Sequence, residues 1–126
     1  MNLKFLIGRH FTKVVRHEYS WQFVFGEGCS LTVECPWRIV AGGRIAVAHS
    51  DHQQQFGLPK PVDVPAATLK LLADITVLNV TVDQATSDLS IDFEGGARFQ
   101  SFADSSGYES WQIEDPDGQF WVGRNE

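Results

Sequence analysis

Two histidines and a carboxylate lie close together in this chain, and they are the residues whose types favour catalysis or metal binding. His49, Asp51 and His52 share one polar segment. Imidazole nitrogens and carboxylate oxygens bind zinc, and histidine also acts as a general acid or base near neutral pH. The two histidines do not have helical ligand spacing, and no cysteine pair lies nearby. The segment supports two interpretations: a solvated connector, or the site of a metal-binding protein or hydrolytic enzyme.

A second candidate site is a contact surface. Tyr108 and Glu109 follow a loop of small and polar residues and come just before Trp111. Amphipathic aromatic residues at loop ends are typical of protein interfaces. Trp111 has the parity of a core residue, whereas Tyr108 is expected to cover an edge or to bind a partner.

Three carboxylates form a third candidate. Asp88, Asp92 and Glu94 have the same parity in a segment whose other positions are apolar. Like charges on one strand face repel each other unless water or a cation lies opposite. We therefore expect this face to be exposed and to be partly neutralised by Arg98 on the next strand. It is either solvated or the surface that meets a basic protein partner.

The charges are divided unevenly along the chain. Residues 1–62 hold seven Lys and Arg against four acids, and residues 63–126 hold three against twelve. Two oppositely charged halves either pack against each other within one molecule or meet across copies, so a homodimer is a further expectation. A sequence pI of about 5.1, without a basic stripe, argues against nucleic acid as a partner.

Composition and residue spacing argue against several other classes of protein. No apolar run approaches the roughly 20 residues of a membrane helix, and no secretion signal is present, which indicates a cytoplasmic protein. Cys29 and Cys35 lie too far apart on one strand for a disulfide and are expected to be buried thiols. The glycine pairs precede strands and not helices, so no phosphate loop or other cofactor site is predicted.

The elements that hold these residues read as an internal repeat within one domain of residues 1–126. The segment that begins at Trp37 resembles the one that begins at Trp111: Trp, a polar residue, Ile, a glycine turn and a second apolar strand. Upstream of each lies an alternating strand, a glycine turn and a return strand. We predict two four-stranded antiparallel units over 6–47 and 72–122, arranged as a sandwich or a barrel-like roll.

Period-two alternation identifies the predicted core, and Pro36 predicts a bend before Trp37. Residues 50–73 form a Pro-rich connector followed by one short helix, with Pro65 in its first turn. The fold class is therefore α+β, mostly β. The predicted core residues are Trp21, Phe23, Phe25, Leu31, Trp37, Leu89, Ile91, Phe93, Phe99 and Trp111.

The C-terminal half resembles a family of small bacterial domains of unknown function. The likeness lies in Gly-Tyr-Glu-x-Trp at Gly107–Trp111, in the Pro-Asp-Gly turn that begins at Pro116, and in Val122-Gly123. Asp74 occupies a position where the family pattern has glycine. The resemblance implies no established activity, and size and acidity are also similar to those of immunity proteins of bacterial toxin systems. The leading interpretation is a non-enzymatic, immunity-like binding module.

Overall fold

The computed structural model describes residues 1–124. Antiparallel strands dominate this part of the chain, and one α-helix accompanies them, which confirms the α+β, mostly-β prediction. The strands are β1 (Lys13–Arg16), β2 (Trp21–Gly26), β3 (Cys29–Val33), β4 (Trp37–Ala41), β5 (Arg44–Ala48), β6 (Val77–Val82), β7 (Leu89–Phe93), β8 (Arg98–Ser101), β9 (Glu109–Glu114) and β10 (Phe120–Arg124). The helix, α1 (Val64–Leu72), lies between β5 and β6.

Each sheet combines strands from both halves of the chain. Sheet 1 has the order β1-β2-β3-β9-β10, and sheet 2 has the order β5-β4-β8-β7-β6. Each half therefore contributes five strands, not the four expected, with three in one sheet and two in the other. The chain first crosses between the sheets at Pro36, where the bend was predicted. Proline has no N–H to donate to a strand ladder, so β3 ends before it.

An aromatic layer joins the two sheets. The ring of Phe23 in sheet 1 lies 5.0 Å from that of Trp37 and 5.2 Å from that of Phe99, both in sheet 2. Trp21 meets Trp37 edge-on at 5.4 Å. All ten predicted core residues are buried, because period-two alternation points one face of each strand into this layer. The sheets thus pack face to face as a sandwich, one of the two arrangements left open above.

Helix α1 lies against β1, an edge strand of sheet 1, and β5, an edge strand of sheet 2. The Asp63 carboxylate accepts a hydrogen bond from the Ala66 N–H at 3.0 Å and caps the helix, and Pro65 lies in the first turn as predicted. Val64 and Leu72 are buried. The helix therefore covers one open side of the sandwich.

The turn between β9 and β10 forms as its sequence predicts. Gly118 adopts φ +83°, and the Asp115 carboxylate accepts hydrogen bonds from the backbone N–H groups of Asp117 and Gln119. The indole N–H of Trp121 donates to the same carboxylate at 3.2 Å. Desolvation acts to raise the pKa of this carboxyl, but the hydrogen bonds outweigh it and leave the pKa below its ordinary value.

Trp111 fits against the backbone of the neighbouring strand. Its partner in register is Gly123 on β10, and its indole N–H donates to the Ser87 carbonyl at 2.8 Å. A β-carbon at position 123 would overlap the indole ring. Trp111 itself is only 1% exposed, so the ring has little room to move aside. Glycine at 123 is therefore a packing requirement and not a conformational one.

We predict that Gly123→Ala lowers the free energy of unfolding by about 2 kcal/mol, because the added methyl group overpacks a filled core. Gly107→Ala is the matched control: nothing lies within 4 Å of a β-carbon there, and its effect should stay within about 0.5 kcal/mol. Urea denaturation of both variants measures the difference. Equal stability of the two variants would contradict the packing described for Trp111.

Candidate functional site

Two exposed tyrosines line a groove at one end of sheet 1. Tyr19 is 81% exposed and Tyr108 is 82% exposed, and both line a cavity of about 550 Å³. We call this cavity the tyrosine groove. Its lining residues are Tyr19, Glu34, Cys35, Asp104, Ser105, Tyr108, Glu109 and Ser110.

Three segments that are distant in sequence build the groove. Tyr19 lies in the turn between β1 and β2, which is closed by a hydrogen bond from the His17 N–H to the Ser20 carbonyl at 2.9 Å. Glu34 follows β3, and its N–H donates to the Ser110 carbonyl at 2.9 Å. This bond continues the β3–β9 pairing to the end of the sheet. Two of the three segments are therefore joined by backbone pairing beside the groove.

The loop between β8 and β9 carries Tyr108 and is fixed at both ends. The Ser105 hydroxyl accepts hydrogen bonds from the N–H groups of Gly107 and Tyr108 at 3.1 and 3.0 Å. At the other end, the Asp88 carboxylate accepts from the Ala103 N–H at 2.8 Å. These bonds hold the backbone that presents Tyr108. Asp88, a predicted binding residue, thus positions the binding loop.

A β-bulge lies beside the groove. On β10, Gly123 pairs with Trp111 and the next residue, Arg124, pairs with Glu109, so one residue of β9 is left out of the register. Ser110 is buried next to the buried Trp111, and the strict alternation expected along this strand is interrupted. Bulges redirect side chains at strand ends. This one lies where Glu109 enters the groove.

The charged side chains that line the tyrosine groove are the carboxylates of Glu34, Asp104 and Glu109. A smaller cavity of about 140 Å³ adjoins it and shares Glu34 and Glu109. Beyond Tyr19, a cavity of about 200 Å³ is bordered by Arg16 and His49. The charged lining of the groove is therefore negative, and Arg16 lies beside it, on a cavity that Glu34 also lines.

The histidine segment is largely engaged in the fold. The Asp51 carboxylate accepts a hydrogen bond from the Ala48 N–H at 2.9 Å. His52 Nδ1 accepts from the Val64 N–H at 3.1 Å, and its ring meets Trp21 edge-on at 5.5 Å. Within residues 1–124, no group of three His, Cys, Asp or Glu side chains is arranged to hold a metal ion. His49 alone of the three borders a cavity next to the groove.

The three carboxylates expected on one strand face have different surroundings. Asp92 lies in β7 and forms an ion pair with Arg98, as predicted. Asp88 precedes β7 and holds the Tyr108 loop. Glu94 follows β7, in a short turn where Gly95 has φ +83°, and is exposed. The row is divided because β7 spans only five residues.

The sequence did not predict that Tyr19 and Asp104 line this groove or that Arg16 lies beside it. Tyr19 lies in a short polar turn without periodicity, so its neighbours in sequence give no sign of its neighbours in space. An isolated tyrosine in a turn of charged and polar residues is the one local signal for it.

Cys35 forms part of the groove floor as a protonated thiol. Burial raises its pKa from 9.0 to about 11, although hydrogen bonds with the Ser101 side chain and the Phe102 backbone act in the opposite direction. The thiolate is the nucleophilic form of cysteine. Cys29 and Cys35 are both buried free thiols, as predicted. A groove with this floor is suited to contact more than to covalent chemistry.

No protein-family model, curated protein or solved structure matches this chain. Within residues 1–124, no helix is long and apolar enough to span a membrane.

We predict that Cys35 in the folded protein reacts with iodoacetamide at pH 8 at least about 100-fold more slowly than in the urea-unfolded chain, because a pKa near 11 leaves little thiolate. The rate should rise with pH until about pH 11. A Cys29→Ala background isolates the signal, and mass spectrometry measures the adduct. A folded-state rate equal to that of the unfolded chain would mean a reactive thiol in the groove.

Proposed function

We propose that the protein is a non-enzymatic binding module that contacts a basic protein partner through the tyrosine groove. The observation that carries this proposal is the pair Tyr19 and Tyr108, each more than four-fifths exposed, which line one groove whose charged lining is acidic. Tyrosine combines a large apolar surface with a hydroxyl group and is enriched at the centres of protein interfaces.

The framework around the groove favours binding without large rearrangement. The Glu34 N–H, directly after β3, donates a hydrogen bond to the Ser110 carbonyl on β9, and Ser105 fixes the backbone at Tyr108. Groups that are ordered before association lose less conformational entropy on binding. A partner therefore meets two tyrosines whose backbones are fixed by hydrogen bonds before binding.

The electrostatic support for a basic partner comes from more than the groove. The chain has a formal net charge of −6, and Glu94 is an exposed carboxylate outside the groove. A negative field attracts a basic protein and raises its association rate, more at low salt than at high salt. Because Asp88 and Asp92 have partners within the chain, we assign the direct contacts to Glu34, Asp104 and Glu109.

An immunity-like role is one form of this proposal, with a basic toxin as the partner in the cytoplasm. A second copy of the chain is the alternative partner, since Arg16 beside the groove offers a positive charge to a neighbour's acidic lining. Both forms use the same tyrosines. They differ in whether a foreign protein or this protein itself is captured.

We also propose that segments 6–47 and 72–122 are two copies of one unit, with five strands in each. Trp37 and Trp111 each begin a stretch that pairs antiparallel with the third strand of the other half. Gly8 and Asp74, matched by the repeat spacing, adopt φ +86° and +58°. Aspartate tolerates this left-handed conformation better than most residues, so its presence where glycine was expected is compatible with the alignment.

We predict that the immobilised protein captures a basic partner from a lysate of its source organism, and that Tyr19→Ala/Tyr108→Ala lowers the affinity at least about 10-fold, as loss of interface anchors does. Mass spectrometry identifies the partner, and biolayer interferometry with the purified partner measures the affinity. Raising the salt concentration should slow association, because the groove is negative.

Phe56→Ala/Leu58→Ala is the matched control, since both side chains are exposed but lie in the connector. This variant should bind like the original protein. A partner that binds the tyrosine variant and the control equally well would contradict the proposal. Failure to capture any protein whose binding depends on the tyrosines would contradict it as well.

A further inference from the structure

We infer that the tyrosine groove receives an arginine side chain of the partner, with its guanidinium stacked against Tyr19 or Tyr108 and hydrogen-bonded to the carboxylates. This inference rests on the proposed binding function and specifies its ligand. The cavity of about 550 Å³ lies within the usual range of about 300–1,000 Å³ for sites that enclose a ligand group.

The lining matches the chemistry of a guanidinium group. Aromatic faces attract cations, and a guanidinium also stacks on a ring because it is planar. Carboxylates accept its N–H groups in charge-assisted hydrogen bonds. The groove presents both kinds of group, because Tyr19 and Tyr108 line it together with the carboxylates of Glu34, Asp104 and Glu109.

The carboxylates come from two parts of the chain that are distant in sequence. Glu34 follows β3, Glu109 begins β9, and Asp104 lies in the loop between β8 and β9. A guanidinium has five N–H donors in a fixed plane and can engage carboxylates in more than one direction while it stacks. A lysine ammonium is a compact point charge and cannot stack. The arrangement therefore favours arginine over lysine.

The protein already holds two of its own arginines on aromatic rings. The Arg16 guanidinium lies 5.0 Å from the ring centre of Trp21, and both residues line the cavity beside the groove. The Arg38 guanidinium lies 4.7 Å from the ring centre of Phe102, which directly follows β8. Within residues 1–124, neither Tyr19 nor Tyr108 carries such a cation. The two exposed rings can offer a partner's arginine the contact that the other two rings give internally.

The test is an NMR titration of the full chain with the peptide acetyl-Gly-Arg-Gly-amide and with its lysine counterpart. We expect saturable shifts of the amide signals of Tyr19, Ser105, Tyr108 and Glu109. We also expect the arginine peptide to bind at least about five-fold more tightly than the lysine peptide. Only the planar guanidinium can stack on a ring and donate two N–H groups to one carboxylate. Absence of saturable shifts with the arginine peptide, or equal affinity for the two peptides, would overturn the inference.

Variants separate stacking from charge. Tyr108→Phe should retain arginine binding, whereas Tyr19→Ala/Tyr108→Ala should weaken it at least about five-fold, since the aromatic faces are lost. Glu34→Gln, at an exposed position, should weaken it and flatten its salt dependence. Unchanged affinity in either the double variant or Glu34→Gln would overturn the inference. The control Phe56→Ala/Leu58→Ala should bind normally.

The two proposals can fail separately. If a basic partner is captured through the tyrosines but the arginine peptide leaves the groove unshifted, the binding function stands and arginine is the wrong ligand. If the peptide binds as expected but the partner's affinity does not depend on the tyrosines, the groove recognises arginine and the proposed partner contact is wrong.

Discussion

The contact between the aromatic faces of the two sheets is the interaction on which the rest of the structure depends. Phe23 from sheet 1 meets Trp37 and Phe99 from sheet 2, and these rings are almost fully buried. Aromatic side chains bury large areas, so this layer contributes strongly to the stability of the sandwich. Because each sheet contains strands of both halves, neither half can complete a sheet alone. The groove inherits this dependence: Glu34 comes from the first half, and Glu109 and Tyr108 come from the second.

The core and the turns could be predicted from the sequence because their signals are local. Phe23 and Ile91 are buried because alternation places them on an inward face, and Gly118 takes a positive φ because the turn requires it. The assignment of strands to sheets could not be predicted in this way. The pairing of β3 with β9 joins residues about 80 positions apart, and alternation carries no information about partners at that distance. The positive and negative halves also do not form two separate faces, since each sheet mixes strands of both.

The candidate site was predicted only in part, because only some of its residues have a local signal in the sequence. Tyr108 and Glu109 were predicted as contact residues because they follow a loop and come just before Trp111. Tyr19 was missed because it lies 89 residues away in sequence, and only the folded sheet brings it to the same groove. The histidine segment illustrates the opposite case: His52 has the chemistry of a ligand, but its Nδ1 accepts a hydrogen bond from the start of α1. The residue type of His52 suggests metal binding, but in the folded protein its Nδ1 accepts a structural hydrogen bond.

The central claim is that the tyrosine groove holds a partner's arginine against the ring of Tyr19 or Tyr108. Intermolecular nuclear Overhauser effects test it most directly, measured between the δ-methylene protons of the arginine in a bound peptide and the ring protons of Tyr19 and Tyr108. The account predicts cross-peaks to at least one of the two tyrosine rings, since both line the cavity that receives the arginine. Cross-peaks confined to residues outside the groove, with none to either ring, would contradict it.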